Sequence, residues 1–205
     1  MRSRTMLKMI MVLFCAVSAA SCATTDVKTV WKDEAYKSQP KKVLVISMFK
    51  NQSVRRMTES EFRDNLKHRK TDAAAGFDTI PGNEIPAKEI VVEQLKAGGF
   101  DALLLMRLVD VRSEQHAVQS TPVYSAPYGV PMGGYYGRGY NAVYAPSYMV
   151  EDRFATVEAN LYDVASEKLV WSATSDTWLN VSQPQAIKTF VAVMMESLRK
   201  QKIVP

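Results

Sequence analysis

The segment Lys42-Val-Leu-Val-Ile-Ser-Met-Phe49 is β-branched and apolar at consecutive positions, bounded by Pro40 and Asn51. Successive strand residues point to opposite faces, so a run without polar alternation reads as a strand buried on both. A sheet containing such a strand needs cover on each side.

The segments that follow supply it. Between Ser53 and about Arg69 the apolar residues Val54, Met57, Phe62 and Leu66 share a helical face, with Glu59 four places before Arg63 as a supporting pair. Phe77 to Ile80 reads as a short strand. Ile90, Val91 and Leu95 form the stripe of a second helix, with Pro86 in its first turn and Gly98-Gly99 as its left-handed stop. Phe100 to Val111, apolar at first and mixed later, reads as a central strand. Strands interleaved with helices make at least part of the sheet parallel.

Farther on, Ala155, Val157, Ala159 and Leu161 alternate with Thr156, Glu158 and Asn160, as in a half-exposed strand. Val164 to Lys168 turns the chain into Leu169 to Trp178, which predicts an antiparallel hairpin with Leu169, Trp171 and Ala173 on the core face. Ser182-Gln-Pro-Gln185 resembles a capping box, opening a last helix with the stripe Ile187, Phe190, Val191, Met194 and Leu198. The expected fold is α/β (α+β): one mixed sheet of about five strands and three helices, in the order β-α-β-α-β-(loop)-β-β-α.

The amino terminus belongs to a different process. Arg2, Arg4 and Lys8 precede an uncharged run from Met9 to Ala20. That is the layout of a signal peptide, and the run is too short for a bilayer span, which needs about 20 residues. The sequence Ala19-Ala20-Ser21-Cys22 resembles the lipobox of bacterial lipoproteins, with Ala19 where Leu is preferred. Cleavage between Ser21 and Cys22 and acylation of Cys22 are what this resemblance implies. Ordinary secretion with a plain Cys22 thiol is the alternative. The only other cysteine, Cys15, leaves with the signal, so the mature chain has no intrachain disulfide. Two or three acyl chains, each methylene contributing about 0.8 kcal/mol, would anchor firmly. Ala23 stands where Asp often signals inner-membrane retention, so by the same resemblance the outer membrane is favoured, with the chain facing the periplasm.

The expected organisation is a signal peptide over 1–21, a lipidated tether over 22–40 and one domain over 41–205. Losing three cations with the signal lowers the formal charge from +5 to +2, so the pI of 9.1 gives little support to a nucleic-acid partner.

The domain is interrupted at about 115–150. Between Gln115 and Val150 there is no acid, and Arg138 is the sole Lys or Arg. Seven of nine tyrosines fall here: Tyr124, Tyr128, Tyr135, Tyr136, Tyr140, Tyr144 and Tyr148. Such a Tyr/Gly/Pro-rich stretch cannot bury a regular apolar face and reads as an irregular loop. It is a mobile insertion, a partner-contact loop built on tyrosine's amphipathic area, or a membrane or glycan contact.

Catalytic and metal-binding patterns are missing from the sequence. His68 and His116 stand in no ligand motif, no Gly-x-Ser-x-Gly elbow occurs, and Gly137-Arg-Gly139 lacks a third glycine. The carboxylates Glu59, Glu61, Asp110 and Glu158 read as solvated surface, as does the basic group Arg55, Arg56, Arg63, Lys67, Arg69 and Lys70, for which contact with anionic lipid or lipopolysaccharide is the alternative. The expectation is no enzyme, no cofactor and no metal.

Lys41-Lys-Val-Leu-Val-Ile46, Asp101-Ala-Leu-Leu-Leu105 after the glycine pair, and Leu161-Tyr-Asp163 with Lys168-Leu-Val-Trp-Ser172 carry a wider likeness. With the order of elements, they make residues 41–203 resemble uncharacterised bacterial envelope lipoproteins sharing the α/β arrangement of the TolB amino-terminal and curli-assembly lipoprotein domains. The Tyr/Gly-rich insertion before a Leu-Val-Trp strand is similar to that of a further lipoprotein group. The resemblance implies an accessory or scaffold role in envelope assembly through protein contact, with the oligomeric state open. The alternative is an envelope module that binds or delivers a lipid, glycan or peptide.

Overall fold

A computed structural model describes residues 24–80, 82, 84–119 and 147–205. The elements are β1 (Thr25–Lys32), β2 (Lys42–Met48), α1 (Gln52–His68), β3 (Asp72–Ala75), α2 (Gly76–Thr79), α3 (Lys88–Gly98), β4 (Ala102–Gln119), β5 (Ser147–Asp163), β6 (Leu169–Trp178) and α4 (Gln183–Lys200). The fold is α+β with one mixed sheet, ordered β1-β6-β5-β4-β2-β3. β2 runs parallel to β3 and β4, and the other pairings are antiparallel.

β2 is the two-sided strand its composition requires. Val43 and Val45 join the core beneath α1 and α4, whereas Leu44 and Ile46 meet Ile80, Leu95 and Phe100 on the α3 side. All four are at most 1% exposed. The α4 stripe is buried at every predicted position, and Phe190 meets Phe62 of α1 edge to face at 5.8 Å. Gly99 closes α3 at φ 61°, and the Phe100 ring lies so close to Gly98 that an added Cβ would stand 2.3 Å from it.

Several expectations are corrected. The sheet has six strands because Thr25–Lys32, within the expected tether, pairs antiparallel with β6. Its sequence lacks apolar alternation, but pairing with β6 satisfies its backbone, and Thr25 Oγ1 lies 3.0 Å from Thr177 Oγ1. The short strand precedes Phe77: Asp72–Ala75 pairs with β2, and Gly76–Thr79 is a helical turn. Small alanines allow the close approach, and a Cβ on Gly76 would meet Ile46 Cγ1 at 3.0 Å. Ile90 is 44% exposed, so the α3 stripe rests on Leu95 and the partly buried Val91. Ser182 occupies the α4 N-cap, but its side chain makes no capping bond.

The largest correction concerns α1. Its buried stripe is Arg55, Thr58, Glu59, Phe62 and Leu66, polar over its first half, which a search for apolar periodicity passes over. Glu59 pairs with Arg55, not Arg63, and both lie inside: Glu59 is 0% and Arg55 3% exposed. The Glu59 carboxylate accepts from Ser47 N (2.8 Å), Ser47 Oγ (3.0 Å), Arg55 Nε (3.1 Å) and Phe77 N (2.9 Å). It thereby joins β2, α1 and the start of α2. Arg55 Nη1 donates to the Glu84 carbonyl. Arg63 turns outward to Asp64 and Asp78.

Candidate functional site

Both helices on the main face begin at one end of the sheet. α1 starts after Asn51, whose side chain accepts from the backbone N–H groups of Ser53 and Val54, and α4 starts after Ser182. At this end β2 stops at Met48 and its pairing with β4 stops at Arg107, while β4, β5 and β6 continue. Their helix-facing side chains run on past the point where the helices cover them. The result is a cleft of about 730 Å³ between the strand extensions and the first turns of α1 and α4, a volume typical of small-molecule sites.

Its walls are mainly apolar: Met48, Phe49 and Val54 on one side, Leu108, Val111, Ala155 and Val157 on the sheet, Leu179, Ile187 and Phe190 toward α4. Leu108 and Val111 are 47% and 44% exposed. Among the described residues, Lys50 and Arg153 are the only charged ones in the lining. Neither has a carboxylate partner among the described residues. The polar lining groups Asn51 and Thr177 have partners in the α1 cap and Thr25.

Beside the cleft, β4 presents an open edge. Among the described residues it pairs beyond Arg107 only with β5, through Gln119. On the far side of β5 the pairing with β6 ends at Phe154, after which Leu179 N donates to the Arg153 carbonyl and the Asn180 side chain accepts from Arg153 N and donates to the Glu151 carbonyl. Val109 is the extra residue of a bulge between Leu108 and Asp110 and is 49% exposed.

The opposite face of the strand extensions is tied by ionic bonds. Arg112 Nη2 donates to Asp176 Oδ2 at 2.7 Å and Arg112 Nε to Glu114 at 2.9 Å. Thr156 Oγ1 donates to Asp176 Oδ1 at 2.6 Å, and Lys28 stands 3.5 Å from Asp176. Four strands are thus joined at one carboxylate. Bonding from Arg112, then Thr156, outweighs burial and holds Asp176 down at about 2. Because the folded-state value lies below the ordinary value of about 3.9, the stabilisation is complete above that value and is lost as pH falls toward 2. Asp176→Asn should therefore lower Tm at pH 6 and flatten its decline between pH 4 and 2. Parallel Tm–pH curves for the two proteins would contradict this.

Of the sequence-predicted residues, Ser21, Cys22, Tyr124, Tyr128, Tyr135, Tyr136, Tyr140 and Tyr144 lie outside the described residues. Tyr148 belongs to β5, its backbone opposite Val118. The expected loop is narrower than 115–150, because β4 extends to Gln119 and β5 begins at Ser147; cross-strand bonds sustain strand where no apolar pattern announces it. His116 Nδ1 is 3.8 Å from Asp152. Among the described residues no three His, Cys, Asp or Glu side chains form a metal-binding group, and no helix is long and apolar enough to cross a membrane. Sequence reasoning missed Lys50, Leu108, Val111 and Arg153. The available signal was the persistence of apolar residues at Leu108, Val109 and Val111, where an emerging strand should turn polar.

No protein-family model and no curated protein matches the chain. Among solved structures it is similar to the PelC dodecamer from Paraburkholderia phytofirmans, at 15% identity and TM-score 0.48 over 85% of this chain and 96% of that one. It is also similar to lipoprotein GNA1162 from Neisseria meningitidis, at 13% identity and TM-score 0.42 over 78% and 99%. A third similar structure is a putative neuraminyllactose-binding hemagglutinin homolog from Helicobacter pylori, at 13% identity and TM-score 0.40 over 83% and 94%.

Proposed function

We propose that this chain is a lipoprotein anchored through acyl chains on Cys22 at the outer membrane, facing the periplasm. There it acts as a non-enzymatic accessory in envelope assembly, contacting another protein through the open edge of β4. The observation that carries the reading is the length of that edge: Leu108 to Gln119 has no partner on the β2 side among the described residues. An unpaired strand edge is a template for strand addition, and proteins commonly blunt the edges they do not use. The other two edges are blunted. β3 has four residues, and β1 is interrupted by a register shift and carries Lys28 and Lys32. Exposed Val109 and Val111 instead add apolar area to the β4 side.

A photo-crosslinker at Val109 in intact cells should capture one defined partner, whereas one at Lys88, on exposed α3 surface, should not. The Val109 crosslink should fall at least fivefold when Gln115→Pro is introduced, because proline removes an edge donor and resists strand pairing. Equal capture from Val109 and Lys88, or a yield unaffected by the proline in a protein of unchanged Tm, would reject edge contact. The same cells test anchorage: Cys22→Ser should release the chain from the membrane fraction.

A further inference from the structure

We propose that the cleft at the end of the sheet takes one acyl chain of an anionic membrane phospholipid, with the phosphate against Lys50 and Arg153. The lining is chemically two-part. Its floor is apolar, from Leu108, Val111, Val157 and Phe190, and its only charges are two cations without carboxylate partners among the described residues. No acid lines it. A wholly apolar ligand would leave the cations unused, and a soluble anion would leave the floor wet. An anionic amphiphile matches both. α1 and α4 both begin at the cleft with no acid in the first turn, so their dipoles add to the positive potential.

The position of the amino terminus identifies the source of the lipid. Thr24 Oγ1 lies 2.5 Å from Thr189 Oγ1 on α4, one turn from Ala186 and next to Phe190, both in the cleft wall. The Thr24 carbonyl accepts from Trp178 N, immediately before Leu179, which also lines the cleft. Cys22 is two residues upstream, a reach of at most about 7 Å. This part of the inference rests on the proposed anchorage at Cys22: if the chain is acylated there, a two-residue link holds this end of the sheet next to the bilayer surface, and the amphiphiles nearest the cleft are bilayer lipids.

The test uses the full mature lipoprotein in vesicles doped with phospholipid carrying a photoreactive diazirine in one acyl chain. The headgroup is phosphatidylglycerol in one arm and phosphatidylcholine in the other. Mass spectrometry should place the phosphatidylglycerol label on peptides carrying Leu108, Val111 or Phe190. Lys50→Gln/Arg153→Gln should lower that labelling roughly tenfold, toward the phosphatidylcholine level, since each cation contributes to anionic-lipid attraction. Both side chains are exposed, so folding should be unaffected. Val111→Asp should lower labelling in both arms. Label confined to other surfaces, labelling independent of headgroup and of the double variant, or a cleft left unlabelled because the chain's own acyl group or a protein segment fills it, would overturn the proposal. Vesicle flotation reports anchorage separately: a chain that fails to float but is still labelled in the cleft refutes the anchor and retains the lipid site.

Discussion

Glu59→Ala should be among the most damaging single substitutions in this protein, costing about 3–5 kcal/mol. The change leaves the Arg55 charge buried without its counterion. It also removes the acceptor from the backbone N–H groups of Ser47 and Phe77 and from the Ser47 hydroxyl. For a domain of this size the loss corresponds to a fall in Tm of about 6–20 °C. Glu59→Gln should be nearly as costly. One oxygen takes three of the four donors and the other takes Phe77 N, so a carboxamide must turn its own donor toward another donor. Arg55→Met should cost less, because three donors still reach the carboxylate. Thermal unfolding of the three variants gives the order. An Arg55→Met loss equal to that of Glu59→Ala would mean that charge pairing, not acceptance from the backbone, dominates the site.

Phe62→Ala should cost a similar amount, about 3–5 kcal/mol, by opening a cavity where α1, α4 and the sheet meet. Phe62 is fully buried, and its edge contact with Phe190 adds to the area it removes from water. Chemical denaturation should show a lower midpoint with an unchanged slope. Combining Phe62→Leu with Phe190→Leu should cost less than the sum of the single changes, since the second loses a contact the first has already removed. Strict additivity would show that the ring pair contributes only through burial.

The regular elements were legible where one physical demand dominated the local sequence. The Val43–Ile46 run could only be a two-sided strand, the Ile187–Leu198 stripe only a helix lying on a core, and Gly99 supplies the left-handed residue that ends α3. Elements whose stability comes from a partner were not legible. Thr25–Lys32 has no apolar face worth reading and became a strand because β6 offered an edge. Ala73–Ala75 has weak strand preference and became a strand because β2 offered its edge in parallel register.

The site divides along the same line. By itself the sequence determined the α+β class and the tyrosine-rich stretch, because each is written in contiguous composition or periodicity; the same kind of signal, a basic start before an uncharged run and Cys22, is what the proposed anchorage rests on. Only the tertiary structure decided that Glu59 and Arg55 lie inside rather than on a solvated helix face, since burial of a charge depends on donors from β2 and α2 that are distant in sequence. It alone brought Lys50, Leu108, Val111 and Arg153 to one cleft, from a loop and two strands. Covalent order fixes what each segment prefers; whether a side chain meets water, a partner or a cavity depends on where the other segments stop.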